Sequence, residues 1–253
     1  MINPDVSRLA NMLLEARVEN RKLSDSAANF FYGLTIDNGY EVQKKVIALS
    51  KDNVVGWKLG GTNAATRTFF GIDGCYWGPI FYPGLVAENR KLHLTSGEIE
   101  IAVKTNIRHS TGIAATPENI GEFIDEIALS VEFPYGVISD YHKAGISSLI
   151  ADCCASGQVV LGESVPFFEL GSAENINLCV NGSNVLFTNS DTLVDGLVST
   201  LCVFINRSRD MGFPLLSNQW IFTGGLSPLI GFNSGDCVEV ISTSLPDLKF
   251  TVI

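Results

Sequence analysis

The sequence predicts a mixed α/β (α+β) fold in which helices come first and strands dominate the rest of the chain. Two amphipathic helices are indicated within the first fifty residues, where apolar residues recur at helical spacing. Beyond them, short apolar runs are bounded by glycine, proline or polar residues, as strands are. Hydrophobic residues make up 46% of the 253 and charged residues 17%, which is typical of a globular protein. We expect one domain, with a helical N-terminal cap over residues 1–52 and a strand-rich core over 53–253.

The N-terminal cap is predicted from two helical stripes. The first helix is expected over residues 4–20, because Pro4 suits a first helical turn, and the second over residues 38–50. The apolar positions of the two stripes are Val6, Leu9, Leu13 and Ala16, and then Tyr40, Val42, Val46 and Leu49. Each stripe covers one face, so each helix is expected to pack against the core.

The remaining elements follow from the same patterns. Strands are expected at residues 54–61, 98–104 and 158–163 and in the tail segments QWIF, DCVEVIS and LKFTVI. Helices are expected from Thr116 to residue 127, over 143–153 and over 191–211. The glycine-rich residues 62–84 predict loops, and the apolar segment 127–138 is expected to turn from helix into strand.

Charge and segment composition narrow the class of partner. The formal net charge is −10, and no cluster of Lys or Arg provides the basic stripe that nucleic acids require. No apolar run is long enough for a membrane span, and the N-terminus has no secretory apolar region. The six cysteines include no CxxC pair. We therefore expect a cytoplasmic protein with reduced cysteines, acting on a small molecule.

Glu98 and Glu100 form the first candidate site. On a strand, residues two apart project to the same face, which places these carboxylates about 7 Å apart. Two such carboxylates can share one Mg²⁺ or Mn²⁺ ion. A solvent-facing strand edge produces the same pattern, so the pair alone leaves both interpretations open.

Glu132 and Lys58 are single charges inside apolar segments. An ionised carboxylate in LSVEFPYGVI is costly unless it is paired, hydrogen-bonded or bound to a metal. A lysine in VVGWKLGG is either exposed at its tip, paired or functional. An ion pair between the two is the simplest structural explanation. Thr223 and Gly224 can offer a hydroxyl and backbone N–H groups to a carboxylate, or can form an ordinary glycine turn.

Five segments, taken in order, resemble the 2-keto-4-pentenoate hydratase family of the fumarylacetoacetate hydrolase superfamily, a family that includes related 2-oxo acid decarboxylases. These segments are VGWKLGGT (55–62), GEIEIAV (97–103), LSVEF (129–133), ADCCASGQVVLG (151–162) and FTGGLSPL…NSGDCVEV (222–240). Tyr40 and Gln43 also match the family's early helix. The resemblance runs from about residue 8 to the end of the chain.

The resemblance implies a fumarylacetoacetate hydrolase-type β-roll with flanking helices, assembled as a homo-oligomer. In that family a Glu-x-Glu pair and a third Glu bind Mg²⁺ or Mn²⁺, which assigns the metal to Glu98, Glu100 and Glu132. The family's strand lysine corresponds to Lys58, the expected catalytic residue, with a pKa lowered beside the metal. Substrate contacts are expected from Tyr76, Ser156, Thr223 and Gly224.

The implied activity is a metal-dependent lyase of aromatic catabolism. The first expectation is a hydratase of a 2-hydroxy-dienoate or 2-keto-4-pentenoate type substrate, acting through a metal-stabilised enolate. One alternative is a decarboxylase of a vinylogous 2-oxo diacid. Another is a C–C bond hydrolase of an acylpyruvate, which usually needs a histidine base; His93 and His109 flank the Glu pair, but the sequence assigns that role to neither. A non-catalytic protein that binds a 2-oxo acid is the last.

The chain departs from the family pattern at several positions. Tyr76 stands where the family carries an aspartate that takes part in proton transfer, and Asp73 lies three residues earlier. The arginine that follows the third Glu in the family is missing, with Lys143 as an electrostatic substitute, and Cys153 replaces an asparagine. These changes affect proton transfer and substrate contacts rather than the metal ligands. They motivate the alternatives of an altered substrate or a lost activity.

Overall fold

Helices open the chain and recur beside its strands. The computed structural model describes residues 5–87, 91–92, 96–106, 112–168, 174–213 and 215–252. The helices are α1 (Val6–Val18), α2 (Asp25–Ala28), α3 (Ile36–Leu49), α4 (Ala64–Phe70), α5 (Tyr141–Ala144), α6 (Ile146–Ala151) and α7 (Leu197–Asp210). Within these residues, no helix combines the length and the apolar character needed to cross a membrane.

The two predicted N-terminal helices are present, with shifted starts. Helix α1 begins at Val6, and the Asp5 side chain caps it by accepting a hydrogen bond from the Arg8 N–H at 3.0 Å. Helix α3 begins two residues before the prediction, because Thr35 and Asn38 form a reciprocal capping box. Both helices bury the predicted apolar stripe, except that Val6 is only partly buried and Leu49 is exposed.

The fourteen strands of the described residues form two sheets. The strands in chain order are β1 (Val54–Gly60), β2 (Tyr76–Phe81), β3 (Leu85–Ala87), β4 (Lys91–Leu92), β5 (Ser96–Thr105), β6 (Ile124–Phe133), β7 (Gln158–Leu161), β8 (Val165–Pro166), β9 (Asn175–Val180), β10 (Ser183–Asn189), β11 (Trp220–Phe222), β12 (Ile230–Gly231), β13 (Cys237–Ser242) and β14 (Leu248–Val252). The larger sheet has the order β2-β1-β11-β5-β6-β7-β3, with β12 also paired to β5 and β8 to β6. The smaller sheet has the order β10-β9-β13-β14-β4.

The helix predicted from Thr116 to residue 127 is wrong. A short 3₁₀ turn covers Ile120–Glu122, and the chain enters strand β6 at Ile124. Strand β6 lies between β5 and β7, and all but two of its residues are buried. A strand covered on both faces reads as a continuous apolar run, which periodicity cannot separate from a buried helix.

Other elements lie where the sequence predicts none, or begin later than expected. The stretch 62–84, expected to be loops, contains helix α4 and strand β2, and the hairpin β9–β10 was not predicted. The helix expected from residue 191 begins at Leu197, because residues 190–192 form a separate 3₁₀ turn. Glycine frequency therefore underestimates regular structure in this part of the chain.

One hydrophobic cluster joins the N-terminal helices to the region around helices α5 and α6. It includes Leu13 and Phe31 from the N-terminal residues and Val137, Ala144 and Cys153 from the later segment. The predicted cap therefore shares its buried surface with residues beyond 52. The division at residue 52 stays a prediction.

Candidate functional site

Three glutamates meet on one face of the larger sheet. Strand alternation directs Glu98 and Glu100 of β5 to the same face, and Glu132 of β6 is the direct cross-strand partner of Glu98. One carboxylate oxygen from each of the three lies within 4.8 Å of the other two. Glu100 and Glu132 are fully buried, whereas Glu98 is partly exposed. We call these three residues the glutamate cluster.

Lys58 lies over the same cluster. Its register partner on β11 is Phe222, which pairs in turn with Ala102 of β5, so Lys58 shares the face of Glu100. The Lys58 Nζ donates a hydrogen bond to Glu132 Oε1 at 2.8 Å, with both side chains buried. The ion pair expected as the simplest structural explanation is therefore present. It crosses two intervening strands and fixes the ammonium group beside the carboxylates.

Burial and mutual repulsion set the protonation of the cluster. Burial raises the pKa of Glu100 well above its usual range, and repulsion from Glu98 and Glu132 adds to the rise. Burial also raises the pKa of Glu132 to about 7, against the attraction of Lys58. Burial by itself lowers the pKa of Lys58, but the three carboxylates outweigh it and the pKa is raised. The pKa of Lys58 was predicted to be lowered beside a metal, whereas in the protein without a metal the pKa is raised.

Two oxygens of the cluster have no hydrogen-bond partner. Glu100 Oε1 and Glu132 Oε2 are buried and unpaired, which is costly for groups of this polarity. Carboxylate oxygens at this spacing are the donor set that Mg²⁺ and Mn²⁺ prefer. The residues present therefore fit a divalent cation, which would satisfy both unpaired oxygens.

The glycine turn after β11 holds one carboxylate in place. The Gly224 N–H donates to Glu100 Oε2 at 3.1 Å. Side chains are excluded from this turn, because a Cβ on Gly224 would lie 2.0 Å from Thr62 Oγ1 and one on Gly225 would lie 2.3 Å from Glu98 Oε2. The turn thus positions the glutamate cluster through its backbone.

A cavity of about 200 Å³ opens beside Lys58 and Glu98. Its polar wall includes Thr62 and Asn63, and its apolar wall includes Phe70. Other residues that contribute to its lining are Leu59, Tyr76, Pro134, Leu149, Cys154 and Ala155. A cavity of this volume holds several water molecules, which suits a small organic acid.

The structure brings Tyr76 to the cavity but places two other predicted substrate residues elsewhere. The Thr223 hydroxyl is buried and donates to the Ile101 carbonyl at 2.8 Å. Ser156 is also buried, and its carbonyl oxygen accepts a hydrogen bond from Arg17 at 2.9 Å. Gly224 donates from its N–H to Glu100 and is not among the residues that line the cavity, so its predicted substrate contact stays a prediction.

The substitutes considered for missing family groups do not line the cavity. Asp73 and Lys143 are exposed, and the Lys143 Nζ lies 5.5 Å from the centroid of the Tyr32 ring. His142 is exposed, and its ring packs edge-on against Phe69. His93 and His109 lie outside the described residues.

Two features of the site were not predicted from the sequence. Thr62 lies within the quoted segment VGWKLGGT, yet a lone threonine after two glycines gives no signal of its own. The cavity wall at Cys154 and Ala155 is part of a turn in which three consecutive residues, starting at Cys153, have φ values of 50°, 56° and 55°. Such a run of left-handed non-glycine residues is strained and has no sequence signature.

Comparisons with solved structures identify the fold. A magnesium and adipate complex of 4-oxalocrotonate decarboxylase from Pseudomonas putida G7 matches with a TM-score of 0.85 and 18% identity, over 100% of this chain and 99% of that one. Fumarylpyruvate hydrolase from Pseudomonas aeruginosa, in complex with Mn²⁺ and pyruvate, matches with a TM-score of 0.56 and 15% identity, over 82% and 94%. The 2-hydroxyhepta-2,4-diene-1,7-dioate isomerase from Mycobacterium marinum matches with a TM-score of 0.57 and 11% identity, over 80% and 76%. No model of a known protein family matches the chain.

These likenesses confirm the predicted fumarylacetoacetate hydrolase-type fold with its mixed sheet and flanking helices. At such low identities they establish architecture rather than activity, since one fold supports many reactions.

Proposed function

We propose that this protein is a divalent-metal-dependent enzyme of the fumarylacetoacetate hydrolase superfamily that acts on a small 2-oxo acid. The observation that carries the proposal is the glutamate cluster, which is buried with two unpaired oxygens and contacts a buried lysine beside a cavity. A group of three carboxylates around one ammonium leaves an excess negative charge that is costly to bury. A bound cation would offset that cost and would supply a Lewis acid at the site.

Glu98, Glu100 and Glu132 would hold Mg²⁺ or Mn²⁺ through carboxylate oxygens. The neighbours crystallised with magnesium and with Mn²⁺ support this choice of ion. When bound, the cation supplies Lewis acidity that favours enolisation of a 2-oxo acid.

We assign Lys58 two tasks, which are to orient the ligand by hydrogen bonding and to transfer a proton to it. The Lys58 ammonium group donates a hydrogen bond to Glu132, which keeps a proton-bearing group beside the glutamate cluster. Lys58 also contributes to the lining of the cavity. It can therefore deliver a proton to the ligand while the glutamate cluster stays fixed.

The reaction that we propose first is hydration of a 2-hydroxy-dienoate to a 2-oxo-4-hydroxy acid. The dienol first ketonises, with the proton of its C2 hydroxyl passing to C5 and a double bond left between C3 and C4. Water then adds to that double bond, its hydroxyl joining C4 and its remaining proton going to C3. The test follows the loss of dienol absorbance with 2-hydroxypenta-2,4-dienoate and Mg²⁺ or Mn²⁺. We expect turnover by the wild type, none after chelation, and at least a hundredfold loss in Lys58→Met with Mn²⁺ affinity retained. Metal-independent turnover would contradict the proposal.

Decarboxylation of a vinylogous 2-oxo diacid is the second candidate. The specific support is that the likeness to 4-oxalocrotonate decarboxylase spans both chains almost completely. Release of CO₂ from 2-oxohex-3-enedioate, without consumption of the dienol, would favour this reaction over hydration.

C–C bond hydrolysis of an acylpyruvate has less support from the described site. Its base would be a histidine, and His142, the one histidine among the described residues, does not line the cavity. Product analysis with acetylpyruvate separates this alternative. Binding of a 2-oxo acid without turnover of any of these substrates would identify a non-catalytic protein.

A further inference from the structure

Five buried side-chain atoms in the described part of the chain have no hydrogen-bond partner. They are Gln43 Oε1, Thr62 Oγ1, Trp77 Nε1, Glu100 Oε1 and Glu132 Oε2. The two glutamate oxygens are accounted for by the proposed cation. Gln43 and Trp77 do not line the cavity, whereas Thr62 does. Among these unpaired atoms outside the glutamate cluster, the Thr62 hydroxyl is therefore the one that belongs to a residue lining the cavity.

The backbone around Thr62 fixes its side chain beside the glutamate cluster. Thr62 is 1% exposed, and its carbonyl oxygen accepts a hydrogen bond from the Val194 N–H at 2.9 Å. The hydroxyl packs against Gly224, where a Cβ would approach to 2.0 Å. Gly224 is also the residue whose N–H holds Glu100. The unpaired hydroxyl and the Glu100 carboxylate therefore both lie against Gly224.

An uncharged hydrogen-bond donor at the position of Thr62 suits the charges around the cavity. A 2-oxo acid brings a carboxylate towards a cluster that is already rich in negative charge, and Lys58 already donates to Glu132. A hydroxyl supplies a hydrogen bond to an anionic oxygen without adding a charge that competes with the cation. Threonine also restricts χ1 more than serine does, because it is branched at Cβ, so the donor direction is set before the ligand arrives.

We propose that Thr62 donates a hydrogen bond from Oγ1 to an oxygen of the 2-oxo-carboxylate group of the ligand, and so positions that group on the cation. This inference rests on the proposed function, because it needs a cation and a 2-oxo acid at the site. It predicts an unusual pair of effects for one substitution. Removing the hydroxyl eliminates an unpaired buried polar group, which stabilises the free protein. It also removes a hydrogen bond to the ligand, which lowers ligand affinity.

The test uses calorimetry with Mn²⁺ and with oxalate, a stable mimic of the 2-oxo-carboxylate group. Thr62→Val keeps the shape of the side chain and removes the donor. We expect Mn²⁺ affinity within twofold of the wild type, and oxalate affinity for the Mn²⁺-loaded protein reduced about tenfold or more. Thr62→Ser is expected to restore most of the oxalate affinity. The melting temperature of unliganded Thr62→Val is expected to rise by about 2 °C or more.

Thr105→Val is the matched control. Thr105 is equally buried, but its hydroxyl donates to the Leu216 carbonyl at 2.6 Å and lies outside the cavity lining. The same substitution there is expected to lower the melting temperature and to leave oxalate affinity unchanged. Oxalate affinity within twofold of the wild type in Thr62→Val would overturn the proposal, as would equal losses of Mn²⁺ and oxalate affinity. A wild type that binds neither Mn²⁺ nor oxalate would overturn the proposed function itself, and this inference with it.

Discussion

Replacement of Arg17 by methionine tests how the N-terminal helix α1 supports the cavity wall. The Arg17 guanidinium contacts Asp152 Oδ1 at 2.7 Å through one nitrogen and at 3.1 Å through Nε. It also donates to the carbonyl oxygens of Asp152, at 2.7 Å, and of Ser156, at 2.9 Å. Arg17 therefore holds both ends of the left-handed turn that places Cys154 at the cavity.

The expected cost follows from the burial of Asp152. Its side chain is fully buried, and its other oxygen accepts hydrogen bonds from the Val137 N–H, the Ile138 N–H and the Tyr141 hydroxyl. Removing one partner of a buried ion pair costs about 3–5 kcal/mol, because it leaves an uncompensated charge. The three remaining donors reduce the penalty, so we expect Arg17→Met to lower the free energy of unfolding by about 3 kcal/mol.

Urea denaturation measures this loss, with Arg21→Met as the control. The Arg21–Glu19 ion pair is exposed on both sides, so its removal is expected to cost under about 0.5 kcal/mol. The strained turn also loses its anchor in Arg17→Met, and the buried Cys154 is expected to react faster with a thiol reagent. A cost below about 1 kcal/mol for Arg17→Met, or one equal to that of Arg21→Met, would refute the reasoning.

Three further predictions concern the site itself. Without metal, the raised pKa values of the glutamate cluster mean that the native state retains protons which the unfolded chain releases. The free energy of unfolding in urea is therefore expected to fall as pH rises from about 4.5 to about 7, and saturating Mn²⁺ is expected to reverse the fall. A free energy of unfolding that increases over this window would contradict the assignment. Gly224 has a φ of 96°, and Gly224→Ala places a methyl group against Thr62, so we expect it to weaken Mn²⁺ binding at least tenfold in calorimetry. The control is Gly182→Ala, which is also at positive φ but has open space around it and is expected to leave Mn²⁺ affinity unchanged. Thr223→Val removes a hydrogen bond to the Ile101 carbonyl and is expected to cost about 1 kcal/mol in urea denaturation, with oxalate affinity retained; a loss of oxalate affinity would return Thr223 to the ligand site.

The local parts of the fold were predictable from the sequence. Helices α1 and α3 and strands β1 and β5 follow from apolar periodicity, which depends on neighbouring residues alone. The helix proposed after Thr116 failed because β6 is covered on both faces, a property set by its sheet neighbours β5 and β7. The same limit applies to the β9–β10 hairpin, whose strands are recognised only once their partners are known.

The candidate site shows the same division between local and long-range information. Strand alternation places Glu98 and Glu100 on one face, but the position of Glu132 depends on the register of β5 against β6. Their positions in apolar segments singled out Glu132 and Lys58 as isolated charges that could pair, and the family resemblance assigned Glu132 to the metal and Lys58 to catalysis. Neither source indicated the Arg17–Asp152 contact, which joins residues 135 positions apart, since the arginine looks like an ordinary polar residue of α1.

Titration of Mn²⁺ into the wild type and into Glu100→Gln, each with and without oxalate, tests the central claim most directly. Glu100 is fully buried, carries an unpaired oxygen and is held by the Gly224 N–H, so its amide replacement keeps the packing and removes a ligand charge. We expect that the wild type binds Mn²⁺, that oxalate tightens this binding, and that Glu100→Gln loses both effects. Unchanged Mn²⁺ affinity in Glu100→Gln, or no Mn²⁺ binding by the wild type, would contradict the assignment of the glutamate cluster as a metal site.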